Sequence, residues 1–234
     1  MNYFLGEFLG TALLVLLGNG VVANVLLNKS KGENSGWIVI TMGWSMAVFV
    51  GVYTSAAASG AHINPAVTLA FAWVGKISWD LVPAYVAAQV LGAMVGQLFV
   101  WISYRPHYTA TENADLKMAT FCTSPAIRSP FNNLFTEMIG TFVLILGVLL
   151  IASPQSSLGA LDALPVALLV LGIGLSLGGP TGYAINPARD FGPRIMHSLL
   201  PIKNKRDSDW GYSWVPIIGP FAGAIIAALV FELF

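Results

Sequence analysis

YAINPARDFG (residues 183–192) and AHINPAVTLA (61–70) are two versions of one pattern, an Asn-Pro-Ala that opens a short apolar run. Asparagine is a good N-cap because its side-chain oxygen accepts an otherwise unsatisfied backbone N–H. Proline fits the first helical position, where its missing N–H costs nothing. Asn64, Pro65 and Ala66 therefore start one helix, and Asn186, Pro187 and Ala188 start another. The apolar runs they open, 65–74 and 187–199, stop at Gly75 and before Pro201. At 1.5 Å per residue each helix is about 15–20 Å long, roughly half the hydrocarbon core of a bilayer. The pattern predicts two half-helices that enter a membrane and end near its middle.

Composition supports lipid as the solvent. Of the 234 residues 9% are charged and 56% hydrophobic, against about 25% charged in a soluble domain, and the mean hydropathy is +0.74. The formal net charge of zero argues against a nucleic-acid partner. The single cysteine, Cys122, excludes an intramolecular disulfide and a cysteine-rich metal site. His62, His107 and His197 are too scattered to make a metal centre, so no metal and no cofactor are expected.

A spanning helix needs about 20 mostly apolar residues. Six further segments qualify: 3–27, 37–58, 82–104, 132–152, 161–178 and 214–234. The polar connections between them include NKSKGENSG, a long stretch at 105–130, SPQSS and KNKRDSDWGYS. The first segment lacks a basic leader and carries Glu7 within its apolar run, which favours a spanning helix over a cleaved signal.

The chain also repeats itself. GEFLGTALLVLLG (6–18) echoes TEMIGTFVLILGV (136–148), aligning Glu7 with Glu137. HINPAV echoes AINPAR, and LVPAYVAAQVLGAMVG (81–96) echoes WVPIIGPFAGAIIA (214–227), aligning Pro83 with Pro216. Each half, roughly 1–105 and 131–234, then holds three spans and one half-helix within a single transmembrane domain. Three is odd, so the second half must lie upside down relative to the first. The half-helices enter from opposite faces, N-terminus toward N-terminus, the inverted-repeat plan whose working site lies at the midplane. Gly92 with Gly96 and Gly219 with Gly223 have the small-xxx-small spacing of close helix contacts.

The doubled Asn-Pro-Ala, the paired glutamates and the order of spans resemble the aquaporin family over nearly the whole chain. The fold expected is an all-α membrane protein with six transmembrane helices and two re-entrant half-helices in an inverted repeat.

Irregular backbone at membrane depth survives only where it lines a watery cavity or is buried in protein. SGAHI (59–63) and GPTGYAI (179–185) are therefore candidate pore walls, with Ala61, His62 and Ala184 among the lining. Such loops offer carbonyl acceptors on one side, facing apolar side chains on the other, a lining suited to a polyol. Asn64 and Asn186 offer amide donors where the two helix N-termini meet, and that field disfavours protons and cations. The other reading, that the asparagines only cap their helices, is compatible with pore lining.

Arg189 is costly near the membrane interior unless it faces water or a partner. A structural ion pair with Asp190 is the bland alternative, but adjacent helical residues point about 100° apart. The resemblance makes Arg189 the arginine of the narrowest constriction, with Trp44, Gly174 and Tyr183 as the other filter positions. It implies that glycine at 174, where water-selective members carry histidine, widens the gap. Asp190, Arg194, Pro216 and Ile217 resemble the glycerol-conducting branch, in which the carboxylate is thought to hold the loop around the arginine open. Tyr183 departs from the phenylalanine of the best-known glycerol channels.

Glu7 and Glu137 read as supports that accept backbone hydrogen bonds from the entering loops, with a proton relay as the alternative. His107 and His197 read as loop or surface residues. The function implied is passive diffusion of glycerol, other small neutral solutes (dihydroxyacetone, urea, undissociated lactic acid) and water, with ions excluded. The alternatives are a strict water pore and a proton-coupled transporter. No nucleophile–base pair suggests an enzyme. The resemblance also implies a homotetramer in the cell membrane with cytoplasmic termini. Against that orientation, Lys29, Lys31, Arg105, Lys117, Arg128, Lys203, Lys205 and Arg206 would lie outside and only Lys76 inside.

Overall fold

A computed structural model describes residues 2–151 and 157–234, and within them the chain is helical without strands. Five helical segments are long and apolar enough to cross a membrane. They are built on α1 (Tyr3–Leu26), α2 (Trp37–Ser59), α4 (Val82–Ala110), α6 (Pro130–Leu150) and α7 (Leu164–Leu177). Single 3-10 turns, Trp79–Leu81 and Gly159–Ala163, lead into α4 and α7. The sixth expected span is α9 (Val215–Phe231), apolar but only 17 residues long. The half-helices are α3 (Pro65–Trp73) and α8 (Pro187–Leu199), each with proline in its first turn. The SPQSS connection falls, at residues 153–156, outside the described residues.

Two elements differ from expectation. Helix α4 runs on through Pro106 to Ala110, beyond the expected end near residue 104. Pro106 forfeits one backbone bond inside the helix, and the Arg105 guanidinium stacks 5.2 Å from the Trp101 ring there. The long connection also holds a short helix, α5 (Ala114–Ala119), started by Asn113, whose side-chain oxygen accepts from Asp115 N at 2.8 Å.

Helix α1 packs against α2 and α4, and α6 against α9 and α7. The small residues decide two of these contacts. A Cβ on Gly96 of α4 would collide with the Ala12 carbonyl of α1, and one on Gly223 of α9 with the Met138 carbonyl of α6. The short helices cross over: α3 is seated on α9, and α8 on α4. Each is thus held by a span from the opposite half of the chain. Their shared terminus lies beside the main apolar cluster, which joins Leu14, Trp44, Val48, Leu144, Val170 and Tyr183.

Candidate functional site

Each asparagine caps its own short helix and grips the opposite loop. Asn64 Oδ1 accepts from Ala66 N at 2.8 Å, while its Nδ2 donates to Ile185 O at 2.8 Å. Asn186 Oδ1 accepts from Ala188 N and Arg189 N at 3.1 and 3.2 Å, and its Nδ2 donates to Ile63 O at 2.8 Å. The two N-termini therefore abut. An amide nitrogen carries two hydrogens, so one on each asparagine is left for the cavity that both residues line. Capping and cavity lining coexist.

The loops before these helices follow one backbone pattern. Ala61 and Ile63 have φ of 54° and 45°, and Tyr183 and Ile185 have 36° and 43°. Positive φ is costly for such residues, and the two carboxylates hold it in place. Glu7 accepts from His62 N (2.9 Å) and Ile63 N (2.7 Å), and Glu137 from Ala184 N (2.9 Å) and Ile185 N (2.8 Å). Glu7 also accepts from Ser59 Oγ and Gln89 Nε2, both at 2.6 Å. Gln89 reaches on to Thr68 Oγ1 (2.9 Å), which meets His62 Nδ1 at 3.1 Å. Glu7 thus accepts from two backbone amides and two side chains.

Between these parts lies a cavity of about 140 Å³. One wall is Gly60, Ala61, His62 and Ile63 with Tyr183, Ala184 and Ile185; the other is aliphatic, including Val48, Val52, Leu144 and Val170. An alanine or isoleucine on the first wall has only its main chain to offer as a polar group, and its amides are largely spent on the glutamates.

Trp44, Tyr183 and Arg189 line the cavity together. The Arg189 guanidinium lies 4.3 Å from the Trp44 ring centroid, within cation–π range, and it takes no hydrogen-bond acceptor among the described residues. Gly174, expected to widen the gap by lacking a side chain, stands beside the Tyr183 ring. It does not line the cavity, because the Tyr183 ring stands in front of it.

Asp190 pairs with Arg194 one turn on, Nε to Oδ1 at 2.8 Å, and not with Arg189. It also accepts from Thr123 N and Thr123 Oγ1, both at 2.7 Å. Arg194 donates to Ser208 O, Asp209 O and Thr123 O. One buried pair thus pins both long connections over the constriction. His197 is corrected from a surface residue to a fully buried one: Phe121 covers it edge-on, and its Nδ1 meets Ser208 Oγ at 2.8 Å. The 200–214 segment folding back over α8 is the reason. His107 is part-buried, with Nδ1 3.0 Å from Asn28 O.

Sequence reasoning missed Gln89, Ser59, Thr68 and Thr123. Gln89 had a signal, one of two amides (with Gln97) inside an apolar span; Thr123 had none, since only folding brings the connection to Asp190. Among the described residues no cluster of His, Cys, Asp or Glu suits a metal ion.

The family model described as Major intrinsic protein matches residues 1–231. A Thermotoga maritima protein named "Probable glycerol uptake facilitator protein" is 58% identical over 232 residues, 99% of each chain. The glycerol uptake facilitator protein of Streptococcus pneumoniae is 55% identical over 234 residues, the full length of both. Among solved structures, the X-ray structure of the aquaglyceroporin from Plasmodium falciparum superposes with a TM-score of 0.86 at 32% identity, covering 99% of this chain and 98% of that one.

Proposed function

The chain belongs to the major intrinsic protein family, and on that premise we propose that it is a passive glycerol channel. It is a multi-pass membrane protein, and glycerol facilitators matching it end to end support glycerol and similar small neutral solutes as cargo. The observation that carries the reading is the two-sided cavity. It runs from the abutting Asn64 and Asn186 to the Trp44–Arg189 contact, lined by the two entering loops with their main-chain carbonyls and by aliphatic side chains.

A polyol exchanges its hydration for those carbonyls and for the free donors of Arg189, Asn64 and Asn186, while its C–H edge meets the valines and leucines. Trp44, Tyr183 and Arg189, with Gly174 behind them, serve as the filter. The guanidinium and the two helix N-termini give the path a positive field that repels cations and protons and leaves neutral solutes alone. Glu7, Glu137 and Asp190 are supports, since their oxygens are occupied by donors from the loops they hold. The halves act as inverted repeats, the channel assembles as a tetramer with cytoplasmic termini, and no enzymatic step is involved.

Stopped-flow light scattering of reconstituted vesicles tests this. In a glycerol gradient, vesicles with the protein reswell faster than empty ones. Equal rates in both, with the protein present in the bilayer, refute a glycerol channel.

A further inference from the structure

Helix α2 touches both aromatic sides of the constriction from one face. Trp37, Thr41 and Trp44 stand at i, i+4 and i+7, positions that share a helix face. Trp44 reaches the cavity and stacks on Arg189, whereas Trp37 and Thr41 do not line it. They lie behind Tyr183. The Trp37 ring meets the Tyr183 ring edge-on, with centroids 5.8 Å apart and planes at 79°. Its Nε1 donates to Gly174 O at 3.1 Å. Tyr183 itself fills a slot made by two missing side chains. A Cβ on Gly174 would lie 3.0 Å from Tyr183 Cζ, 3.1 Å from its Oη and 3.0 Å from Thr41 Cγ2. A Cβ on Gly178 would lie 2.5 Å from Tyr183 Cδ1 and 2.8 Å from Trp37 Cζ2. The Tyr183 hydroxyl is sealed in that slot and has no hydrogen-bond partner among the described residues.

We propose that Trp37 is a positioning residue for solute size: by tying α7 at Gly174 and bracing the Tyr183 ring, it fixes how far that ring projects into the constriction. This rests on the channel reading above. Within it, the space left by glycine at 174 is not free bore but the seat of the tyrosine hydroxyl. The aperture then depends on how deeply Tyr183 sits, which Trp37, Gly174 and Gly178 decide together. The unpartnered hydroxyl acts as a spacer that holds the ring off the α7 backbone.

Two sets of variants in reconstituted vesicles test this, each read as rates for water, glycerol and the four-carbon polyol erythritol in the same preparation. Trp37→Phe keeps an aromatic edge but removes the tie to Gly174, and the erythritol-to-glycerol ratio rises several-fold while water flux stays near wild type. Gly174→Ala pushes the ring inward and lowers glycerol flux by about tenfold, as one methyl group in a filter does. Adding Tyr183→Phe to that variant removes the 3.1 Å contact with the hydroxyl and recovers a substantial part of the loss. An unchanged ratio in Trp37→Phe that still conducts water overturns the proposal. If Trp37→Phe conducts nothing, the second pair decides: recovery supports the proposal, and additive losses overturn it. Wild-type vesicles that fail to pass glycerol overturn the channel reading and this inference together. Wild-type conduction with an unaltered ratio overturns the inference alone.

Discussion

The two places where a loop turns into a short helix share a frame and differ in how they use polar groups. In both, a buried glutamate holds two successive amides and an asparagine caps the helix while reaching across to the other loop. Around Glu7 the surplus polarity, Ser59, Gln89 and Thr68, is bonded internally behind the wall. Around Glu137 the shell is smaller: the Thr181 hydroxyl stands beside the carboxylate, and α9 approaches so closely that a Cβ on Gly219 would lie 2.7 Å from Glu137 Cβ. The polar residues of the second copy sit instead along α8. Arg189 turns to the cavity, and Asp190 with Arg194 anchors the outer connections. One copy is scaffold, and the other is scaffold plus filter.

The largest expected consequence lies in the second copy. Arg194→Met leaves Asp190 as a buried, unpaired charge and frees the carbonyls of Thr123, Ser208 and Asp209. Removing one partner of such a pair costs about 3–5 kcal/mol. Thermal unfolding of the purified protein in detergent measures it, and a loss below about 1 kcal/mol, the scale of an exposed pair, would place the anchoring elsewhere.

The glutamates give a smaller and more discriminating effect. Glutamine at either position turns an amide N–H against a backbone N–H, at about 1–3 kcal/mol for the donor left unsatisfied. At position 7 the neighbours can reverse roles: Ser59 has a hydroxyl, and Gln89 has an amide oxygen without a partner among the described residues. Glu137→Gln therefore destabilises the same unfolding transition more than Glu7→Gln. The opposite order would mean that the Glu7 shell is rigid.

The smallest effect is expected at the far end of α8, where Lys205 Nζ donates to the carbonyls of His197, Ser198 and Leu200. Lys205→Met removes this C-terminal cap for about 0.5–1.5 kcal/mol. Glycerol flux should hold at the wild-type rate, since these carbonyls lie away from the cavity lining.

Much of this arrangement was legible in the residues. Asn-Pro pairs fixed both short-helix starts, and Gly75 and Pro201 bracketed their ends within a residue or two. Apolar length located the spans, because in lipid a helix boundary follows from where hydrophobic residues stop. Glu7, Glu137, Asn64 and Asn186 stood out because polar groups at membrane depth need partners, and the structure supplies them. What escaped were relations across the fold. Nothing near Thr123 marks it as the partner of Asp190 sixty-seven residues on. Gly174 reads as open space until Tyr183 is seen occupying it. His197 reads as exposed because the segment that buries it is a polar loop.

The central claim is a fixed, uncoupled path for neutral solutes, and glycerol and proton movement recorded together test it most directly. Vesicles carrying an internal pH dye are given a glycerol gradient, with and without an imposed membrane potential. Glycerol should equilibrate at a rate proportional to its gradient and indifferent to the potential, while internal pH holds steady. A rate that saturates at low glycerol, follows the potential, or carries protons with the solute would contradict a pore and point to a coupled carrier.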